Sequence, residues 1–217
     1  QMISPKIGVL TFATAALLAL SGCATAGDQE PSPTPSASGS GFAQPGQPVV
    51  KYDKWDWFKD TYWIVPQDGI DSVLHSGTDP SSFTVTRGQT VFHITDYYNG
   101  YWSGAVVVKL TAAQVPACQY VLGQTTPEGN VYMTMYDAKT GAVVNDPIGE
   151  MVQVDDQWTM VNTMTGPTDK GGTLSHWAYM VQSREGDPTF SSLPFAAQSI
   201  PDFMSACPPG PQIKGRP

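Results

Sequence analysis

Short runs in which apolar and polar side chains alternate recur from about residue 59 to the end of the chain, broken by Gly, Pro, Asn and Asp. Alternation with a period of two, rich in β-branched and aromatic residues, predicts half-buried strands. The clearest run is Thr90-Val91-Phe92-His93-Ile94-Thr95-Asp96-Tyr97-Tyr98, followed by Asn99-Gly100 and a return over Tyr101–Leu110. Asn-Gly supplies the two positive-φ residues of a type I′ turn, so a hairpin is expected. Further strands are expected over 59–65, 83–86, 131–136, 150–154, 158–165 and 173–182. The turns between them are marked by Pro127-Glu128-Gly129-Asn130, Lys139-Thr140-Gly141 and Asp155-Asp156-Gln157.

Helix signals are scarce. Ser199-Ile200-Pro201-Asp202 offers an N-cap serine and an early proline, which predicts a short C-terminal helix leading to Phe203, Met204 and Cys207. The expectation is an all-β fold of eight or nine antiparallel strands, either an up-and-down barrel or a β-sandwich, because such a sheet must close or double up to hide its edges. Sequential hairpins favour the barrel. The opening aromatic stretch with Trp55, Trp57 and Trp63 resembles calycin proteins such as lipocalins over that one strand. The Gly-x-Trp of the lipocalin start is absent, so no family residue is carried over.

The first fifty residues follow a different pattern. Lys6 precedes a mainly apolar run over 7–20 and then small residues, the three parts of an export signal. A membrane-spanning helix needs about 20 apolar residues, so this run is too short to span. Leu20-Ser21-Gly22-Cys23 resembles the lipobox of bacterial lipoproteins at every position. The resemblance implies cleavage before Cys23 and a lipid on that cysteine. Met2 is the expected start of the leader. Residues 1–22 are thus read as signal peptide, 23–50 as lipidated cysteine and tether, and 51–217 as one β-barrel-like domain. The tether, with Pro31-Ser32-Pro33-Thr34-Pro35 at its centre, has too few apolar residues to offset ordering. Its r.m.s. span would be roughly 30 Å. In composition it resembles tethers of high-GC Gram-positive lipoproteins.

This reading places the protein outside the cytoplasm, lipid-anchored to a bacterial membrane. That is the outer face of the cell membrane in a Gram-positive cell, and either membrane in a Gram-negative one. Such a compartment is oxidising, and two cysteines remain after lipidation, so Cys118 and Cys207 are expected to pair. Closing that loop contributes about 4 kcal/mol in the chain-entropy model. The net charge of -8, with basic residues scattered, excludes nucleic acid as a partner.

Chemistry-bearing candidates are few. GxSxG, HExxH, P-loop and GxGxxG patterns are absent, so no catalytic residue and no cofactor is assigned. A carboxylate pair formed only by folding, such as Glu128 with Asp96, would be the mark of an unrecognised hydrolase. His93 and His176 lie on the best strands, and the functional reading joins them in one polar spot gripping a small ligand inside the barrel. By simple alternation His93 shares a face with Val91, Thr95 and Tyr97, and His176 with Ala178 and Met180. Trp177 and Tyr179 then take the other face of their strand. Tyr97, Tyr101 and Trp102 surround the Asn99-Gly100 turn and could form an aromatic tip for a surface partner. Met133, Met135, Met151, Met160, Met164 and Met180 all fall on strands, where methionine commonly fills core gaps; metal capture by Met and His is the rarer alternative, and no metal ligand is assigned. The expected function is non-catalytic binding of a small ligand or surface partner. The alternatives are a packed structural or interaction domain of the envelope, an unrecognised hydrolase, or a metal-capture protein.

Overall fold

Ten strands account for most of the domain in the computed structural model, which describes residues 53–111, 113, 115–168 and 171–216. The expected leader, Cys23 and the expected tether lie outside the described residues, and the described residues all fall in the compact unit Pro48–Pro217. The strands are β1 (Thr61–Ile64), β2 (Ile70–His75), β3 (Phe83–Tyr98), β4 (Tyr101–Leu110), β5 (Ala117–Thr125), β6 (Asn130–Asp137), β7 (Val143–Asn145), β8 (Ile148–Val154), β9 (Gln157–Pro167) and β10 (Thr173–Ser183). All pair antiparallel.

The sheet closes. Each of β2, β3, β4, β5, β6, β8, β9 and β10 pairs with the next, and β10 returns to β2, which leaves β7 on the flank of β6. β1 and β2 share one position in this ring: both run against β3, β1 through Val91 to Ile94 and β2 through Phe83 to Gly88. Pro66, which lacks an N–H, and Gly69, at φ +93°, lie in the stretch that interrupts them. The ring therefore has eight positions, the size at which side chains either fill the interior or leave room for one small ligand. β10 meets β2 only through residues 173–175 and β1 only through 181–183, so the stretch carrying His176 and Ala178 faces the break between them.

The hairpins follow the turn chemistry. Asn99 and Gly100 take φ of 50° and 90°, and Asp155 and Asp156 take 47° and 62°, which gives both two-residue turns the twist that suits the strands they join. One end of the barrel is closed from below by the 3₁₀ helix Asp56–Phe58. Trp55 next to it donates Nε1 to the Thr126 carbonyl at 2.8 Å and meets Trp158 edge-on at 4.9 Å. Phe58, Trp63, Tyr97 and Trp102 continue this aromatic plug inward. Met133, Met151, Met160 and Met180 fill the layer above it.

A second cluster lies outside the barrel, where Ile64, Val91 and Val107 are covered by Leu193, Ile200 and Phe203. Those covering residues belong to the segment holding α1 (Pro188–Ser191) and α2 (Ile200–Met204). Ser199 caps α2 by accepting the Asp202 N–H at 3.2 Å, as its sequence predicts. Cys207 follows and is bonded to Cys118 of β5, with Cα atoms 5.3 Å apart, which ties this cover to the wall. Beyond it the chain runs back along β3, and Thr95 and Ser103 both donate to the Pro211 carbonyl, at 3.3 and 2.6 Å.

Three strands, β2, β5 and the three-residue β7, are not visible from local pattern. Residues 70–75 and 117–125 read as connections, yet form β2 and β5, because each is held between two long neighbours that satisfy its backbone. The segments 83–86 and 90–98 are likewise one strand running through Gly88.

Candidate functional site

Above the methionine layer the barrel interior is not filled. A cavity of 310 Å³ lies there, walled by residues of β2, β3, β4, β5, β6, β7, β9 and β10 and reaching the rim at Leu110, Ala113, Pro167 and Thr168. The cause is side-chain size. Ser72, Ala117, Gly166 and Ala178 point inward where the lower half carries tryptophan, phenylalanine and methionine.

The wall of this cavity is apolar except for a belt of neutral hydrogen-bonding groups. Ser72 Oγ, Gln119 Oε1, Asn145 Oδ1, Asn162 Nδ2 and His176 Nδ1 all belong to lining residues, are shut off from solvent and have no hydrogen-bond partner in the protein. Ser72, Asn145 and Asn162 are only 1%, 7% and 4% exposed. Buried polar atoms are nearly always paired, and an orphan costs about 1–3 kcal/mol. Five of them belong to the wall of one cavity, which concentrates unmet hydrogen-bonding capacity there. Burial also depresses the His176 imidazole to about 4, so it stands neutral at pH 7 with both donor and acceptor capacity.

The strands explain why these side chains meet. On β9, Met160, Asn162, Met164 and Gly166 fall on the inward face, and Asn162 pairs with Ala178 of β10 while Met164 pairs with His176. Gln119 lies two residues before Val121 on β5, and Ser72 two after Ile70 on β2, so both continue core faces. Asn145 ends β7, opposite Met135 of β6.

Of the two histidines expected in one polar spot, only His176 lines the cavity. His93 faces outward with Val91, where its ring stacks on Tyr62 at 4.1 Å between centroids, and burial there lowers its pKa. Tyr97 does not share its face. Two residues, Thr95 and Asp96, oppose Ser103 alone, and this bulge turns Tyr97 inward to join Phe92 and Ile94 in the core. Its hydroxyl accepts the Gly100 N–H at 3.0 Å.

The aromatic tip also divides. Trp102 is fully buried in the plug and donates Nε1 to Thr125 Oγ1 at 3.0 Å, so it offers nothing to a surface partner. Tyr101 is 50% exposed and Trp177 69% exposed, both on the outer wall. They belong to one lateral row, Tyr101, Gln124, Tyr132, Ile148, Thr163 and Trp177, in which each residue stands opposite the next across adjacent strands. Tyr179 is half-buried two residues along from Trp177 on β10.

Asp96 is bonded elsewhere: its carboxylate accepts the Tyr97 and Ile213 N–H groups, each at 2.9 Å, and pairs with Arg216. Among the described residues no group of three or more His, Cys, Asp or Glu is placed to hold a metal. The polar residues missed by sequence reasoning are Ser72, Gln119, Asn145 and Asn162. Asn162 had a signal, a carboxamide set between Met160 and Met164 at the spacing of one strand face. No protein-family model, curated protein or solved structure matches the chain.

Proposed function

We propose that this protein is a lipid-anchored, extracytoplasmic binding protein that holds a small ligand in the upper half of its barrel and catalyses no reaction. The observation that carries the binding reading is the convergence of five unpaired, solvent-excluded polar atoms on one cavity of 310 Å³. A fully packed envelope domain would have no reason to spend inward positions on Asn145, Asn162 and Gln119 against an otherwise apolar wall. The anchor and location rest on the lipobox-like Leu20-Ser21-Gly22-Cys23 and the tether that follows it. The disulfide between Cys118 and Cys207 agrees with an oxidising compartment.

The test is native mass spectrometry of the full lipidated protein extracted from membranes, set against its denatured mass. A small molecule released on unfolding from the wild type, and absent from a folded Ala178→Leu variant whose longer side chain occupies the cavity, is the expected result. Equal masses before and after unfolding in both proteins would overturn the binding reading in favour of an interaction domain. Labelled palmitate incorporated by the wild type and not by Cys23→Ala tests the anchor separately.

A further inference from the structure

We infer that the cavity selects uncharged ligands of about two fused rings that donate hydrogen bonds, seated with their polar edge on Gln119, Asn145 and Asn162. The inference rests on the reading of the cavity as a ligand site and adds the chemical class it accepts.

Size comes from volume. A protein cavity of about 150 Å³ lined by apolar groups takes up benzene. At 310 Å³ this one has room for roughly twice that, in a wall where Phe92, Met135, Met164 and Met180 supply adaptable apolar surface.

Charge selection comes from what lines the wall. Among the described residues no Asp, Glu, Lys or Arg contributes to it. An ion entering would lose its hydration with no opposite charge to replace it, which is far more costly than desolvating a neutral polar group. Neutral His176 lends no positive charge to an anion at pH 7. A carboxylic acid bound here would therefore bind in its protonated form.

Donor preference comes from the orphaned atoms themselves. Gln119 Oε1 and Asn145 Oδ1 can only accept, Asn162 Nδ2 can only donate, and Ser72 Oγ and His176 Nδ1 can do either. A ligand that satisfies the two carboxamide oxygens must bring O–H or N–H groups to them. A bare hydrocarbon leaves them all unpaired, and a site with unpaired buried groups rejects the analogue lacking its hydrogen bonds.

Three probes of one size separate these requirements: naphthalene, 2-naphthol and 2-naphthoate, titrated into the chain from residue 24 onward, which lacks Cys23 and so carries no lipid. Binding is followed by probe fluorescence and by the side-chain amide signals of Gln119, Asn145 and Asn162 in nitrogen-edited spectra. The expected result at pH 7.5 is that 2-naphthol binds at least tenfold more tightly than either of the others. The apparent affinity for naphthoate should rise about tenfold per unit as pH is lowered from 7.5 to 5.5, because only the acid enters. Gln119→Leu combined with Asn145→Leu, or Gln119→Leu alone should the pair fail to fold, removes the accepting oxygens and should bring 2-naphthol down towards the level of naphthalene while leaving naphthalene binding intact. Naphthoate bound as tightly as 2-naphthol with no pH dependence would overturn charge selection, and naphthalene bound as tightly as 2-naphthol would overturn the donor requirement. In both of those cases the cavity remains a ligand site. Failure of all three probes to move the amide signals would overturn the ligand-site reading itself.

Discussion

Gly123 stands directly opposite Trp102 in the β4–β5 ladder, and the indole occupies the space that a Cβ at position 123 would need. The absence of a side chain there lets the indole cross the barrel interior and reach Thr125 Oγ1. Trp102 in turn packs on Phe58 at 6.1 Å, so one missing methyl group shapes the whole plug that closes the lower end.

Gly123→Val should therefore destabilise the domain by about 3 kcal/mol, the upper end of ordinary overpacking costs. For a domain of this size that lowers Tm by about 10 °C. Thermal unfolding followed by near-ultraviolet circular dichroism, which reports on the buried indole, checks it. In a double-mutant cycle with Trp102→Leu the two losses should add to clearly less than their sum, since the second removes the clash made by the first. Strict additivity would show that position 123 acts through something other than Trp102.

His176 makes stability depend on pH in the mildly acidic range. Its folded-state pKa is depressed by burial to about 4, against about 6.5 when unfolded. Between these values the unfolded chain binds the proton and the folded one does not, so stability falls as pH drops from 6.5 towards 4 and then levels. The slope from this one group is at most about 1.4 kcal/mol per pH unit. Urea unfolding at pH 7.5, 6, 5 and 4 should show the decline, and His176→Leu should flatten it. A variant with the same slope as the wild type would place the acid sensitivity elsewhere.

Asp96 governs a lower window. Burial alone would raise its carboxyl, but the Arg216 side chain and the Ile213 and Tyr97 N–H groups outweigh that and hold it below the usual carboxylate range. A depressed carboxyl contributes stability that is intact above its unfolded value of about 3.9 and is lost as pH falls through the folded one. Asp96→Asn should thus be less stable than the wild type at pH 7, with the gap closing below about pH 3.5. The same substitution should loosen the terminal segment, seen as faster amide exchange at Ile213. Unchanged exchange there would show that the segment is held by Pro211 and the disulfide alone.

Much of the architecture was legible because it is written in local terms. Asn99-Gly100 fixes a type I′ hairpin through the φ angles its residues tolerate, and the terminal helix announces itself by Ser199 and Pro201. Alternation identified most strands and predicted correctly that His176, Ala178 and Met180 share a face. It failed at β3, where one inserted residue at Thr95–Asp96 reverses every inside and outside assignment beyond it and so parts Tyr97 from His93. Because the side-chain period is two, a single-residue bulge has that effect wherever it falls, and no local signal marks this one.

The sequence by itself determined the strand-rich class, the Asn99-Gly100 hairpin and the capped terminal helix, since composition, period and turn chemistry are properties of neighbours along the chain. Only the tertiary structure decided that the lower interior is plugged and the upper one open, that His93 lies outside, and that Ser72, Gln119, Asn145, Asn162 and His176 surround one space. Those facts depend on ring closure between β10 and β2 and on register across the other seven ladders of the ring. Contacts between residues up to a hundred positions apart carry no local pattern, so the site became visible only once the barrel had closed around it.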